Sequence, residues 1–177
     1  MNKYKYLIKN IGLLTLSSFA TKLLSFFLVP LYTNILTTTE YGTYDLFYTT
    51  VGVLLPILTL NIQESVLRFA LDKNYNRQAI VSIATRFLMR GCLLVGVGVI
   101  ICSFFGIGEL TYKNAIFFFL MYFSQTFSGL VLAYTRGIDK IAELSISRVI
   151  CSIMTIGCNI IFLVSFKWGL SGYFLAN

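Results

Sequence analysis

The sequence predicts an all-α integral membrane protein with five complete transmembrane helices and the start of a sixth. Three observations carry that expectation. Five apolar segments reach the about 20 residues that a helix needs to cross a hydrocarbon core roughly 30 Å thick. Only 12% of the 177 residues are charged and 57% are hydrophobic, whereas a soluble domain is about 25% charged. The apolar runs are too long for core strands, and inside lipid only a helix or a closed barrel satisfies the backbone hydrogen bonds.

The segments fall near Leu7 to Thr33, Thr43 to Gln63, Phe87 to Ile107, Asn114 to Tyr134 and Ser147 to Phe166, with a partial one from Gly169 to Asn177. The net charge of +7 does not point to nucleic acid, because most basic residues sit in short segments between the apolar runs; the expected partner is a membrane surface. With a cytoplasmic N-terminus, the inner segments hold Lys3, Lys5, Lys9, Arg68, Lys73, Arg77, Arg86, Arg90, Arg136, Lys140 and Arg148, and the outer loops only Lys113 and Lys167. That asymmetry follows the positive-inside rule. A basic start before an apolar run resembles a signal peptide, but the run is too long and lacks a small-residue cleavage site, so it is expected to be retained.

The first segment contains Lys22. Counted from Ile11, the helical rise puts Lys22 about 16 Å into the membrane, too deep for its stem to reach the surface easily. Thr15, Ser18 and Ser25 share its helical face and form a polar stripe. Two readings stand: a lysine that deprotonates among packed helices, or a cation facing a water-filled cavity. Ionisable groups inside membranes usually mark substrate or ion pathways, which favours the second.

A short threonine-rich loop, Asn34 to Gly42, leads to the second segment, where Asp45, Tyr48, Gly52, Pro56, Thr59 and Gln63 recur at helical spacing. Pro30 and Pro56 each remove a backbone donor and are expected to kink their helices, for packing or for bending during transport. The stretch ESVLRFALDKNYNRQAIVSIATRFLMR is amphipathic and basic. Glu64 and Arg68 can pair there, and the cations are expected to anchor topology at anionic headgroups. Arg86 and Arg90, one turn apart at the entrance of the third segment, are also placed to meet the phosphates of a lipid-linked substrate, a task suited to the planar guanidinium.

The third segment is apolar, and Gly91, Cys92, Gly96 and Gly98 allow close helix approach. In the fourth, Gln125 lies among Ser124, Ser128 and several phenylalanines, with an interhelical hydrogen bond and a substrate contact as its two readings. The fifth places Arg148, Ser152, Thr155 and Asn159 on one face. Three polar stripes in lipid are most simply explained by an aqueous cavity between them. No catalytic site is expected, because there is no His and the seven acids are scattered. No metal site or cofactor is expected either, because Cys92, Cys102, Cys151 and Cys158 lack CxxC spacing.

VPLYTNILTTTEYGTYDL after the embedded lysine, ESVLRFA, and YTRGIDKIAELSISR, in that order and spacing, resemble the bacterial oligosaccharide flippases. These form the polysaccharide biosynthesis branch of the multidrug/oligosaccharidyl-lipid/polysaccharide exporter superfamily. The resemblance implies movement of an undecaprenyl-pyrophosphate-linked oligosaccharide across the cytoplasmic membrane, through a cationic cavity between two helical lobes. Lys22 matches the basic position of the family's first helix, and Arg68 the arginine ending its second. Lys22, Ser18, Ser25, Asp45, Gln125, Arg148 and Asn159 are thus the candidate substrate-binding set, and Arg68, Arg86 and Arg90 the candidate phosphate or headgroup contacts. The implied partners are the lipid-linked oligosaccharide, membrane lipids, a polysaccharide polymerase and glycosyltransferases.

Complete family members have two lobes, whereas the chain stops early in its sixth segment. It is therefore expected to supply most of one lobe and, because transporter sites form between repeats, not to transport alone. The rival readings are a drug/cation antiporter of the same superfamily and a non-transporting membrane scaffold. Antiport usually needs an acidic group deep in the membrane, and here the central group is a lysine.

Overall fold

The computed structural model describes residues 3–72, 74–106 and 112–177. Lys73, Ile107 and Glu109, and the side chains of Lys3, Lys5, Lys9 and Ser25, lie outside the described residues. The chain is 90% helical, with no strand among the described residues. Its elements are α1 (Lys3–Ile35), α2 (Thr38–Thr59), α3 (Ile62–Leu71), α4 (Arg77–Phe105), α5 (Tyr112–Gly137), α6 (Ile141–Asn159), a π-helical stretch (Ile160–Ser165) and α7 (Gly169–Ala176). Among the described residues, four runs are long and apolar enough to cross a membrane: Ile11–Ile35, Arg77–Phe105, Tyr112–Gly137 and Ile141–Ser165. The α2 and α3 pair, bent by 60°, makes a fifth when counted as one span. The protein is a multi-pass membrane protein.

The chain forms two compact units, Met1–Gly42 with Lys140–Asn177, and Thr43–Asp139. In the first, α1 packs along α6. Its buried stripe holds Ser17, Leu28 and Tyr32, with Leu14, Thr21, Leu24 and Leu31 half-buried between them. That three-to-four spacing is one helical face, and the exposed Phe19, Phe26 and Phe27 cover surface left to lipid. Pro30 lies inside α1 without ending it.

A capping box closes the turn into α2. Glu40 Oε2 accepts from the Thr37 backbone N–H at 2.9 Å and from its hydroxyl at 2.8 Å, while Thr37 Oγ1 accepts from the Glu40 N–H at 3.3 Å. The Glu40 carboxylate also accepts from the Leu170 N–H in the first turn of α7. One side chain thereby caps two helix N-termini, where partial positive charge favours a carboxylate. Trp168 stacks on Phe162 and Phe166 with ring centroids 5.3 and 5.2 Å away. Beyond that turn α7 docks through Tyr173, whose ring centroid lies 4.5 Å from that of Tyr32.

In the second unit, α2 ends where Leu60 and Asn61 adopt φ of 46° and 53°. The sharp change of direction therefore falls one turn beyond Pro56, where the sequence placed a bend. A proline inside a helix frees a carbonyl and tilts the axis, whereas two consecutive left-handed residues end the right-handed path. Beyond the break, α3 packs on α4 and α5 around Val66, Ala84, Leu88 and Leu130, with Ile62, Ile80 and Tyr134 against them. Gly137 allows the closest approach, since a Cβ there would stand 2.5 Å from Ala70 Cβ and 3.0 Å from the Leu67 carbonyl oxygen.

The spanning helices begin earlier than their apolar runs, most of all α4 and α6. The loop expected from Asn34 to Gly42 shrinks to Leu36 and Thr37, because α1 runs to Ile35 and α2 starts at Thr38. α4 starts at Arg77, behind Asn76, whose side-chain oxygen accepts from the Gln78 N–H at 2.9 Å. α6 starts at Ile141 beside the Lys140–Glu143 ion pair, 3.0 Å long. Their first turns are amphipathic rather than apolar: Ala84 and Leu144 are buried while Arg86 and Glu143 are exposed. A hydropathy run marks where a helix enters lipid, and a cap marks where it begins.

Candidate functional site

The candidate residues divide between the two units. In the first, Ser18 on α1 is half-buried and accepts, through its carbonyl, the Thr21 hydroxyl at 2.9 Å. Ser17 is buried and donates to the Leu14 carbonyl at 3.1 Å. Lys22 is exposed near the middle of the Ile11–Ile35 span and makes no hydrogen bond or ion pair with any described residue. The Ser25 side chain lies outside the described residues. On α6, Arg148 is half-buried, Ser152 donates to the Arg148 carbonyl at 3.0 Å, and Asn159 Nδ2 donates to the Thr155 carbonyl at 2.8 Å. Asn159 is fully buried, and its Oδ1 accepts from Asn177 Nδ2 at 3.3 Å. The packing of α1 on α6 places both polar stripes within one unit. Ser145 extends the α6 stripe by one turn; it is buried and its hydroxyl has no partner among the described residues. It stands three residues before Arg148, so its spacing was available to the same periodicity argument.

In the second unit, Asp45, Tyr48, Gly52 and Pro56 are exposed on α2, but the break separates them from Gln63. That glutamine turns inward from α3, where its Nε2 donates to the Thr126 carbonyl of α5 at 3.2 Å. Gly129 makes the room: a Cβ there would lie 2.5 Å from both amide heteroatoms of Gln63. The interhelical amide bond near the centre of α5 therefore belongs to Gln63, and Gln125 stays half-buried beside Thr126. Thr126 and Tyr122 are fully buried, and the Thr126 hydroxyl donates to the Tyr122 carbonyl at 2.7 Å. This polar seam joins α3 to α5, as expected of side-chain hydrogen bonds between helices in lipid.

Arg68, Arg86 and Arg90 are exposed. Glu64 and Arg68 form no ion pair among the described residues, in keeping with the about 0.3–0.5 kcal/mol that an exposed pair one helical turn apart is worth. Because α4 starts at Arg77, Arg86 and Arg90 lie about 14 Å and 20 Å along it rather than at its first turn. The remaining residues to Phe105 are still about enough to cross the core, which leaves Arg86 at its edge. Cys92, Cys102, Cys151 and Cys158 are free thiols, and no group of metal-ligating side chains occurs among the described residues.

Helix content, span lengths and the order of motifs lead to one comparison. Residues 7–176 match the family described as polysaccharide biosynthesis protein. The chain belongs to that family. No curated protein and no solved structure matches it. Members of the polysaccharide biosynthesis family are transporters rather than enzymes. The Thr37-x-x-Glu40 spacing is itself a sequence signal, a capping box that marks the start of α2, with Tyr41 and Gly42 inside the helix.

Proposed function

We propose that this chain belongs to a flippase that carries an undecaprenyl-pyrophosphate-linked oligosaccharide across the bacterial cytoplasmic membrane, with its N-terminus in the cytoplasm. The observation that carries the proposal is Lys22, an exposed lysine in the middle of an apolar span, unpaired among the described residues. A cation at that depth costs about 2.5–3.5 kcal/mol on insertion scales unless water or an anion meets it. A pyrophosphate supplies that anion. In this mechanism Lys22 attracts the pyrophosphate, Ser18 and Ser25 on the same helix offer polar groups to the glycan, and the polyprenyl tail stays in lipid. Arg148, Arg68, Arg86 and Arg90 draw the headgroup in from the cytoplasmic side, where the basic segments gather under the positive-inside rule. Asp45 lies in the second turn of α2, away from the middle of a span, so cation antiport has less support. Glycosyltransferases supply the substrate and a polysaccharide polymerase consumes it.

The test is charge reversal in the full-length protein in the cell that makes the polymer. Lys22→Glu is expected to abolish surface polysaccharide at an unchanged membrane level of the protein, and Lys22→Arg to retain most of it. Normal polymer from Lys22→Glu would sink the proposal.

A further inference from the structure

A cavity of about 680 Å³ opens between α4 and α5 at the end where the two helices connect. Its walls are two facing helical stripes, Gly96, Ile100 and Ser103 on α4, and Tyr112, Ile116 and Phe119 on α5. Each stripe recurs every three to four residues, so each is one helix face. Gly96 forms the notch, with the Phe119 ring 3.3 Å from where its Cβ would stand. From Gly96 to Phe104, and from Tyr112 to Leu120, the groove runs about 12 Å along each helix. One leaflet contributes about 15 Å of hydrocarbon, half the core thickness. The groove is thus nearly as long as one leaflet is deep, and it is mostly apolar. At its mouth Tyr112 is exposed, as aromatic residues are at headgroup level. The next residue, Lys113, is exposed and has no hydrogen-bond or ion-pair partner among the described residues.

We propose that this groove is a binding site for one anionic phospholipid, its acyl chain between α4 and α5 and its phosphate against Lys113. Length selects the chain, because a docked protein helix would not be limited to one leaflet. Charge selects the headgroup, because a zwitterionic lipid offers the lysine a phosphate offset by its own cation. Lys22 is not among the residues that line this groove, and the proposal holds whether or not the chain moves oligosaccharide.

The test uses the full chain in nanodiscs made with equal parts of phosphatidylglycerol and phosphatidylcholine of identical acyl chains, followed by native mass spectrometry. Phosphatidylglycerol is expected to be retained about fivefold over phosphatidylcholine, the factor that one lysine near an anionic surface contributes. Lys113→Glu, at an exposed position that packing does not constrain, should erase the preference. Ile116→Trp, which fills the groove, should reduce retention of both lipids, with circular dichroism checking that the helices persist. Equal retention of the two lipids by the wild type, or a preference that survives Lys113→Glu, would overturn the proposal. So would undiminished phosphatidylglycerol retention by a folded Ile116→Trp variant.

Discussion

Glu40 is the side chain whose removal should be felt at two helix ends at once. Glu40→Ala deletes the acceptor of the Thr37 N–H and hydroxyl at 2.9 and 2.8 Å, and that of the Leu170 N–H. A lost cap costs about 1 kcal/mol, and a carboxylate at a second helix N-terminus is worth about 0.3–1 kcal/mol. The two losses fall on different helix ends, so local opening should rise about fivefold at Thr37 and about two- to fivefold at Leu170. Hydrogen exchange resolved at the Thr37 and Leu170 amides reads this directly, because both are donors to the deleted carboxylate. In Glu40→Ala the Thr37 amide should exchange about fivefold faster and the Leu170 amide about two- to fivefold faster, while Glu40→Gln, which keeps an oxygen acceptor but not the charge, should fall between. If Thr37 speeds up and Leu170 does not, α7 is not held by Glu40. Unchanged exchange at both amides would refute the double cap altogether.

Gly137→Ala sets a methyl against Ala70 and the Leu67 carbonyl, and should lower stability by about 1–3 kcal/mol, read as an earlier thermal transition in detergent. Gln63→Ala removes the bond to the Thr126 carbonyl and should cost about 0.6–1.7 kcal/mol. Gly129→Ala displaces the same amide, so the double variant should destabilise by less than the sum of the two, in a double-mutant cycle. Leu60 is 75% exposed and held at a left-handed φ of 46°. Leu60→Gly should therefore stabilise the protein by about 1 kcal/mol, measured as a later transition, because glycine carries no Cβ penalty there.

Class and family were legible in the sequence because they depend on averages over many residues. An apolar window of about 20 residues has few alternatives once a bilayer is the solvent. The stripe on α6 was legible for the same reason, since Arg148, Ser152, Thr155 and Asn159 repeat with the helical period and two of its steps are hydrogen-bonded. The helix starts at Arg77 and Ile141 were not, because their first turns bury residues such as Ala84 and Leu144 without being apolar overall.

The α2 stripe shows where periodicity runs out. Asp45, Tyr48, Gly52, Pro56, Thr59 and Gln63 repeat as though one helix carried them all, yet Leu60 and Asn61 turn the chain by 60° before Gln63. Asn61 tolerates the left-handed region but Leu60 does not favour it, so local propensity marked the break only weakly; tertiary packing of α3 on α4 and α5 offsets the backbone strain at Leu60. The same packing made Gln63 of α3, and not Gln125 of α5, the side chain that bonds across these two helices, because the missing side chain of Gly129 leaves room for the Gln63 amide. Sequence alone thus determined that this protein lives in a membrane, belongs to a polysaccharide biosynthesis family and carries a lysine deep in its first span. Only the tertiary structure decided where helices break, which polar groups bond to one another and which, like Lys22, stay exposed. Composition and period are properties of single segments, whereas breaks and partners depend on residues far apart in the chain.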